Sequence, residues 1–359
     1  MKECKVCLNQ AKNILCNQCE VILPRIEKFH ELGENTTPLE KFFLELKDKN
    51  KNKKYDAVMG ISGGVDSTFL ATYAGELGLR VLLLHFDNGW NTQIATSNIA
   101  KLVKKYNFEL RTFVQDWHIF KSLQRSFLYA GVPDLELISD HAIFAVINND
   151  NSKKECPDMV AGSNFTTEHG LVEDFVWNKL DRKNIEGINS SFENIDLKSF
   201  PRTNIISWGW RRVFSTSKIH TPLNMFWYKR SMAVKYLKEK INFEDYSYKH
   251  EESLITKIYQ RIILRDKFKH NKIFYHLNAL IRNKEISKED ARIKLNEFKE
   301  SNIDKYELDY FLHKLDITYE EWDEILNSKP RRHEDYPNSQ KIYNILRFFA
   351  DKLKLRSMN

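Results

Sequence analysis

Ser62-Gly63-Gly64-Val65-Asp66-Ser67 offers hydroxyls, small residues and one carboxylate in an order that lets a backbone wrap an anion. Gly63 and Gly64 bring the main chain close to a phosphate with no Cβ in the way, and the N–H groups of a following helix supply the grip. The stretch lacks the lysine and the spacer of the Walker A loop, so a kinase or GTPase cradle is not expected. Cys4, Cys7, Cys16 and Cys19 form a second constellation of two Cys-x-x-Cys pairs, which in a reducing compartment suit tetrahedral zinc rather than disulfides. Four protein thiolates leave no position for water, so the expected zinc is structural. Cys156 precedes the apolar run Met159-Val160-Ala161 and reads as a buried filler. The plain alternatives are a tight strand-to-helix turn for the glycine loop and a redox pair or free thiols for the cysteines.

Three more groups could touch a ligand. Asp87, in His85-Phe86-Asp87-Asn88-Gly89-Trp90, follows an apolar run where an acidic residue can meet a ribose, although Asp-Asn-Gly is also a turn former. Gly162, Asn164 and Glu168 follow another run; Asn164 is expected on phosphate or ribose and Glu168 on magnesium or nucleotide. The alternative there is a helix start capped by Thr166 or Thr167. Lys249-His250-Glu251-Glu252-Ser253 opens a helical pattern with two cationic side chains, which sit poorly at a helix N-terminus. An anion beside them would resolve the conflict, so Lys249 and His250 are expected to neutralise charge on an activated intermediate or a sugar; the alternative is a solvated charged turn.

The elements that must position these residues follow from periodicity. Strand patterns at 56–61, 81–86, 110–114 and 159–161 alternate with helical patterns at 67–77, 92–106 and 140–148. Such alternation predicts an α/β fold with a parallel sheet covered on both faces, and the loops after Ile61, Phe86 and Ala161 should converge at the carboxyl ends of the strands. Residues 1–24 are expected to form a zinc-binding knuckle, 25–54 a helical segment ending in a lysine-rich linker or helix end, 55–221 the nucleotide-binding domain, and 222–359 a mainly helical region. Ser287 with Asp290 and Thr318 with Glu321 predict capping boxes. Ile342, Ile345, Leu346, Phe349 and Leu353 form one stripe of a terminal helix, expected to face the core.

The chain has 359 residues, 42% of them hydrophobic, enough for a substantial core and a smaller appended domain. No apolar run reaches the length that spans a bilayer, and the start lacks a signal-peptide pattern, so a cytoplasmic protein with no membrane insertion is expected. The net charge of +7 suits an anionic substrate such as a nucleotide or sugar acid, and equally RNA.

The residues 62–67, 85–90, Asp140-His141-Ala142-Ile143-Phe144, 162–168, 249–253, Lys267-Phe268, 286–291 and Asp335-Tyr336-Pro337-Asn338 occur in order across almost the whole chain. Together they resemble the N-acetyl sugar amidotransferases of surface-polysaccharide and flagellar-glycan synthesis, including the pseudaminic and legionaminic acid and O-antigen enzymes. The hexapeptide itself resembles the pyrophosphate loop of the ATP pyrophosphatase (PP-loop) superfamily. The resemblance implies an adenine-nucleotide α-hydrolase-like sheet, with Ser62, Gly63, Gly64, Val65, Asp66 and Ser67 on the pyrophosphate of ATP. It implies conversion of an acetamido group to an acetamidino group using ATP, Mg2+ and ammonia, the ammonia coming from glutaminase and cyclase-like partners. The acceptor would be an N-acetylated sugar or nonulosonic acid, with or without a nucleotide attached. The amino-terminal cysteine pairs of the family match Cys4, Cys7, Cys16 and Cys19. Departures are the shorter spacing between the pairs, Tyr248 where the family has glycines, and Lys267-Phe268-Lys269-His270-Asn271-Lys272 in place of a more acidic continuation, which implies a different sugar.

This chemistry suits the residues. An amide oxygen must become a leaving group before an amine can replace it, and adenylation does so; Asp66 is the candidate for holding magnesium. The rival enzymatic reading is a tRNA thiolase, which shares the loop, but beyond the zinc set only Cys156 remains for sulfur chemistry. Nucleic acid is therefore not expected as a partner. A non-enzymatic rival is an idle nucleotide-binding scaffold in a glycan-synthesis complex, which requires Asp66 or Ser62 to be dispensable.

Overall fold

Each apolar run that alternates with helical periodicity becomes a strand in the computed structural model, which describes residues 2–149, 155–170, 175–206, 218–246, 248–249, 251–301 and 303–352. β1 (Lys2–Glu3) and β2 (Gln10–Ala11) are the antiparallel ribbon of the cysteine knuckle. β3 (Ala57–Gly60), β4 (Val81–Asp87), β5 (Glu109–Val114), β6 (Asp158–Val160) and β7 (Lys218–His220) form a parallel sheet in the order β5-β4-β3-β6-β7. The central strands are largely apolar, as at 57–59, 81–84 and 159–160, because both of their faces are buried, whereas β5 and β7 at the edges are partly exposed. β7 had no signal in the sequence: it is three residues long and two of them, Lys218 and His220, are polar.

The chain divides into two compact units. The first comprises Met1–Val114, Asn151–Leu171 and Thr216–Leu308; the second comprises Gln115–Asp150, Val172–Ser215 and Asp309–Asn359. In the first, alternate strand residues Ala57, Met59, Ile61, Val81 and Leu83 meet Phe69, Ala71 and Ala74 of the helix Val65–Glu76, and Leu237 and Ile241 of the helix Arg230–Ile241, in one cluster. The sheet runs from β3 outward through β4 and β5 on one side and through β6 and β7 on the other. The topological switch point therefore lies between β3 and β6, and the loops leaving their carboxyl ends diverge around a crevice. Helices Asn17–Leu32 and Thr37–Lys49 precede the sheet, so Lys47 and Lys49 of the lysine-rich run sit in a last helical turn. Downstream, the helix Leu254–Ile258 widens into a π-helical stretch, Tyr259–Lys267, that apolar periodicity did not foretell. The capping boxes at Ser287 and Thr318 are both formed.

The second unit is helical. Asp134 accepts from the Trp177 N–H and the Lys179 ammonium, each at 2.7 Å, and Lys179 also reaches Asp140 at 2.9 Å. His141 lies between the Lys179 carbonyl at 2.8 Å and the Thr203 N–H at 3.2 Å, so its place in the quoted motif is structural. His333 is buried, its Nδ1–H donating to Asn184 Oδ1 at 2.7 Å while its Nε2 accepts from the Asp134 N–H at 3.3 Å. Burial, with the Lys179 charge nearby, pushes its pKa down to about 3. The unfolded chain takes up a proton near the ordinary value of about 6.5 and the folded chain does not. Stability is thus highest above that value and falls as pH drops from about 6.5 toward about 3, by up to about 1.4 kcal/mol per pH unit for this residue. Urea unfolding between about pH 7 and pH 4 checks this, and His333→Gln should flatten the slope if the assignment is right.

One expectation fails here. Ile342, Ile345 and Leu346 of the terminal helix Gln340–Lys352 are 41–56% exposed rather than core, because an amphipathic stripe reports a face that can be covered and not what covers it. Phe349 and Leu353 lie outside the residues whose side chains are described. Among the described residues no helix is long and apolar enough to cross a membrane.

Candidate active site

The loop after β3 and the loop after β6 enclose a cleft of about 220 Å³, lined among others by Ser62, Gly64, Asp66, Gly162, Glu168 and Lys249. Gly63 has φ +82°, and a Cβ on it would stand 2.6 Å from the Ala95 carbonyl oxygen, so both backbone and space demand glycine. A Cβ on Gly162 would stand 2.9 Å from the Ser67 nitrogen, which is how closely the second loop approaches the first helical turn. Gly64 caps the helix Val65–Glu76 without a side-chain acceptor. The first-turn N–H groups therefore face the cleft as an anion site, with the helix dipole adding positive character.

Asp66 sits in that first turn. It accepts the Tyr228 hydroxyl at 2.5 Å and the Asn164 amide at 3.4 Å, and Lys249 Nζ lies 3.6 Å away. Lys249 also reaches Glu168 and Thr167 Oγ1, both at 3.1 Å. Burial works against the ammonium, but Asp66 and Glu168 outweigh it and hold its pKa above the ordinary value, so Lys249 is a fixed positive charge. Burial and then the Asp66 charge push the Tyr228 phenol far up, which keeps it a donor.

Asn164, not Thr166 or Thr167, caps the short helix Phe165–Glu168: its Oδ1 accepts from the Thr167 N–H at 2.9 Å and from both threonine hydroxyls. Asn164 so joins the turn to Asp66. Asp87 is not among the cleft-lining residues; its carboxylate accepts from the Gly89 N–H at 2.8 Å and the Asn91 amide at 3.1 Å, the turn-forming geometry. That turn docks the segment carrying Lys249, since Thr92 donates to the Glu252 carbonyl and Leu254 to the Trp90 carbonyl, each at 3.0 Å. His250 lies outside the described residues. Arg230 and Tyr246 line the cleft and Tyr228 reaches it through Asp66; they carry no spacing signal and come to the site only through the tertiary fold, whereas Ser163 lies within the turn that follows Gly162.

The four knuckle cysteines are buried, and their sulfurs lie within 4.8 Å of one another. A tetrahedral zinc with Zn–S near 2.3 Å needs sulfurs about 3.8 Å apart, close to the 3.4 and 3.6 Å found for Cys19 and Cys16 against Cys7. The N–H of Cys16 points at Cys4 Sγ and that of Cys19 at Cys16 Sγ, and Arg282 donates to Cys19 and Cys7. Such donors favour thiolates, so the residues fit a closed tetrathiolate metal centre that would brace the knuckle. Cys156 is fully buried and its pKa is pushed up to about 11 by burial, as a filler requires.

Residues 56–148, which include the glycine loop, match the family model described as queuosine biosynthesis protein QueC. Residues 252–350 match the model described as the C-terminal domain of WbpG-like LPS biosynthesis proteins. The chain thus carries a QueC-like segment around the glycine loop and a WbpG-like segment towards its C-terminal side. Similar solved structures include the NMN synthetase of Francisella tularensis, 13% identical, covering 79% of this chain and 98% of that one at a TM-score of 0.36. The NH3-dependent NAD synthetase of Campylobacter jejuni is 16% identical, covering 58% and 93% at a TM-score of 0.30. The U34-tRNA thiolase NcsA of Methanococcus maripaludis is 13% identical, covering 85% and 90% at a TM-score of 0.33. Likeness this distant says nothing of the reaction. No protein of curated function matches the chain at a significant level. Lys249 stands just ahead of the WbpG-like segment and Glu252 at its start, and both line the cleft beside the glycine loop.

Proposed function

We propose that this chain is an ATP-dependent amidotransferase that converts a sugar N-acetyl group into an acetamidino group through an adenylated intermediate, in surface-polysaccharide or flagellar-glycan synthesis. The observation that carries this reading is the meeting of Lys249 and Glu252, at the border of the WbpG-like segment, with the glycine loop in one cleft. An amide nitrogen's delocalised lone pair makes its carbonyl a poor electrophile. The acetamido oxygen attacks the α phosphorus of ATP, and pyrophosphate leaves into the N–H groups after Gly64. Ammonia then adds to the activated carbon, AMP departs with the former amide oxygen, and loss of a proton leaves the amidine. Lys249 neutralises charge on the phosphates, and its ion pairs hold it there before the nucleotide arrives.

Asp66, Glu168 and Glu252 outnumber Lys249 and Arg230 by one and leave the cleft net negative, so a triphosphate should enter with its cation. Magnesium, when bound, would offset the charge between the phosphates and these carboxylates. The partners in this reading are an N-acetylated sugar or nonulosonic acid and glutaminase and cyclase-like subunits that deliver ammonia. Sulfur transfer has less support, because all five cysteines are buried.

The test is an incubation of the purified protein with ATP, magnesium, ammonium and an N-acetylated sugar acid. AMP and pyrophosphate should appear with a product whose mass reports exchange of oxygen for NH. Release of ADP would remove the adenylation step, and cleavage without any mass change in the sugar would remove the acceptor.

A further inference from the structure

Arg282 is 2% exposed at the end of the helix Lys272–Arg282, inside the WbpG-like segment. Its Nε donates to Cys19 Sγ at 3.2 Å, and its Nη2 to Cys7 Sγ at 3.4 Å and to Gln18 Oε1 at 3.1 Å. No carboxylate among the described residues pairs with it. A buried guanidinium held by sulfurs and one neutral amide has a counter-charge only if those sulfurs are thiolates, and a metal tetrathiolate, at a net charge of −2, is such a partner.

The other side of the guanidinium, Nη1, makes no hydrogen bond among the described residues and faces the active-site turn. Gly170 has φ +82°, and a Cβ there would stand 2.8 Å from Arg282 Nη1. Gln18 Nε2 donates to the Gly170 carbonyl at 3.4 Å, so the residue that receives Arg282 also holds this glycine. Residues 164–169 form one hydrogen-bonded turn that runs directly into Gly170: His169 donates to the Phe165 carbonyl, and the Asn164 N–H to Glu168 Oε2 at 3.2 Å. Glu168 in turn holds Lys249, and Asn164 meets Asp66.

We infer that Arg282 is a positioning residue through which the four-cysteine metal centre fixes the turn carrying Asn164 and Glu168, so that metal occupancy and the geometry of the cleft are linked. The inference rests on the proposed function only in taking the cleft as the nucleotide site. A lysine at this position would keep the charge but lose the planar fork that spans two sulfurs and Gln18.

The test uses the full chain. Amide hydrogen exchange of the turn 164–170 is compared in zinc-loaded wild type, chelator-stripped wild type, Arg282→Met and Arg282→Lys, beside binding of Mg2+ with α,β-methylene-ATP. In Arg282→Met the zinc affinity, read by chelator competition, should fall about 10–100-fold, and the turn should exchange faster. Arg282→Lys should lie between the two. The nucleotide analogue should bind about tenfold more weakly, on the scale typical of residues that support metal ligands. If zinc binding weakens while exchange of the turn stays at the wild-type rate, the link is overturned. Should Arg282→Met fail to fold, stripped wild type decides: faster exchange restored by zinc supports the link, and unchanged exchange refutes it. A wild type that does not bind the analogue at all would sink the nucleotide site, while the exchange data still judge Arg282.

Discussion

Asp66→Ala is expected to lower release of AMP and pyrophosphate by at least about 10²–10³-fold, the scale seen when one preorganised electrostatic contact to a reacting group is removed. The carboxylate stands in the first turn behind the glycine loop and gathers Tyr228, Asn164 and Lys249. Its loss also strands the buried Tyr228 hydroxyl, a cost of about 1–3 kcal/mol. Asp66→Asn separates the two effects, since an amide oxygen still accepts from Tyr228 but carries no charge for a cation. It should fold with near wild-type stability and remain inactive. An active Asp66→Asn enzyme would show that the charge is not used.

Removing the knuckle metal, by chelation or by Cys7→Ser, is expected to destabilise the first unit by more than about 4 kcal/mol, a loss typical of few mechanisms besides loss of a metal. The reason is where the knuckle is anchored. Leu8 packs with Ile273, Leu277, Ile281 and Phe298, and its N–H donates to Asn278 Oδ1 at 2.9 Å. Glu3 pairs with Lys288 at 3.1 Å and Arg292 at 2.7 Å. Without the metal, four buried thiols and Arg282 lose their charge balance, and this packing loses its base. Elemental analysis should return about one zinc per chain, and melting should drop by roughly 10 °C on chelation. A folded, metal-free protein with the same melting temperature would refute the assignment.

The cradle was legible because its signal is local. Gly63 and Gly64 between an apolar run and a helical run specify a strand, a loop and a helix start from a few adjacent residues, and β3 and the helix Val65–Glu76 fall where that pattern puts them. The cysteine pairs were legible for the same reason: short spacing makes four sulfurs meet with little freedom lost. The parallel pairing of β3, β4, β5 and β6 followed from alternation, and their order came only with the structure.

The rest depended on contacts between residues distant in the chain. Asp87 can form a turn and meet a ribose as well, and only the positions of Gly89 and Asn91 show that the turn is formed. The π-helical stretch, the exposure of Ile342 and Ile345, and the places of Tyr228 and Arg230 depend on packing that periodicity does not encode. The sequence by itself determined the glycine loop between strand and helix, the four-cysteine cluster and the parallel sheet, since each is set by steric and hydrogen-bonding rules acting over a few residues. Only the tertiary structure decided that Lys249 lies against Asp66 and Glu168, and Arg282 between the cysteines and Gly170, because side chains far apart along the chain are brought together by burial of the whole core and by no local preference.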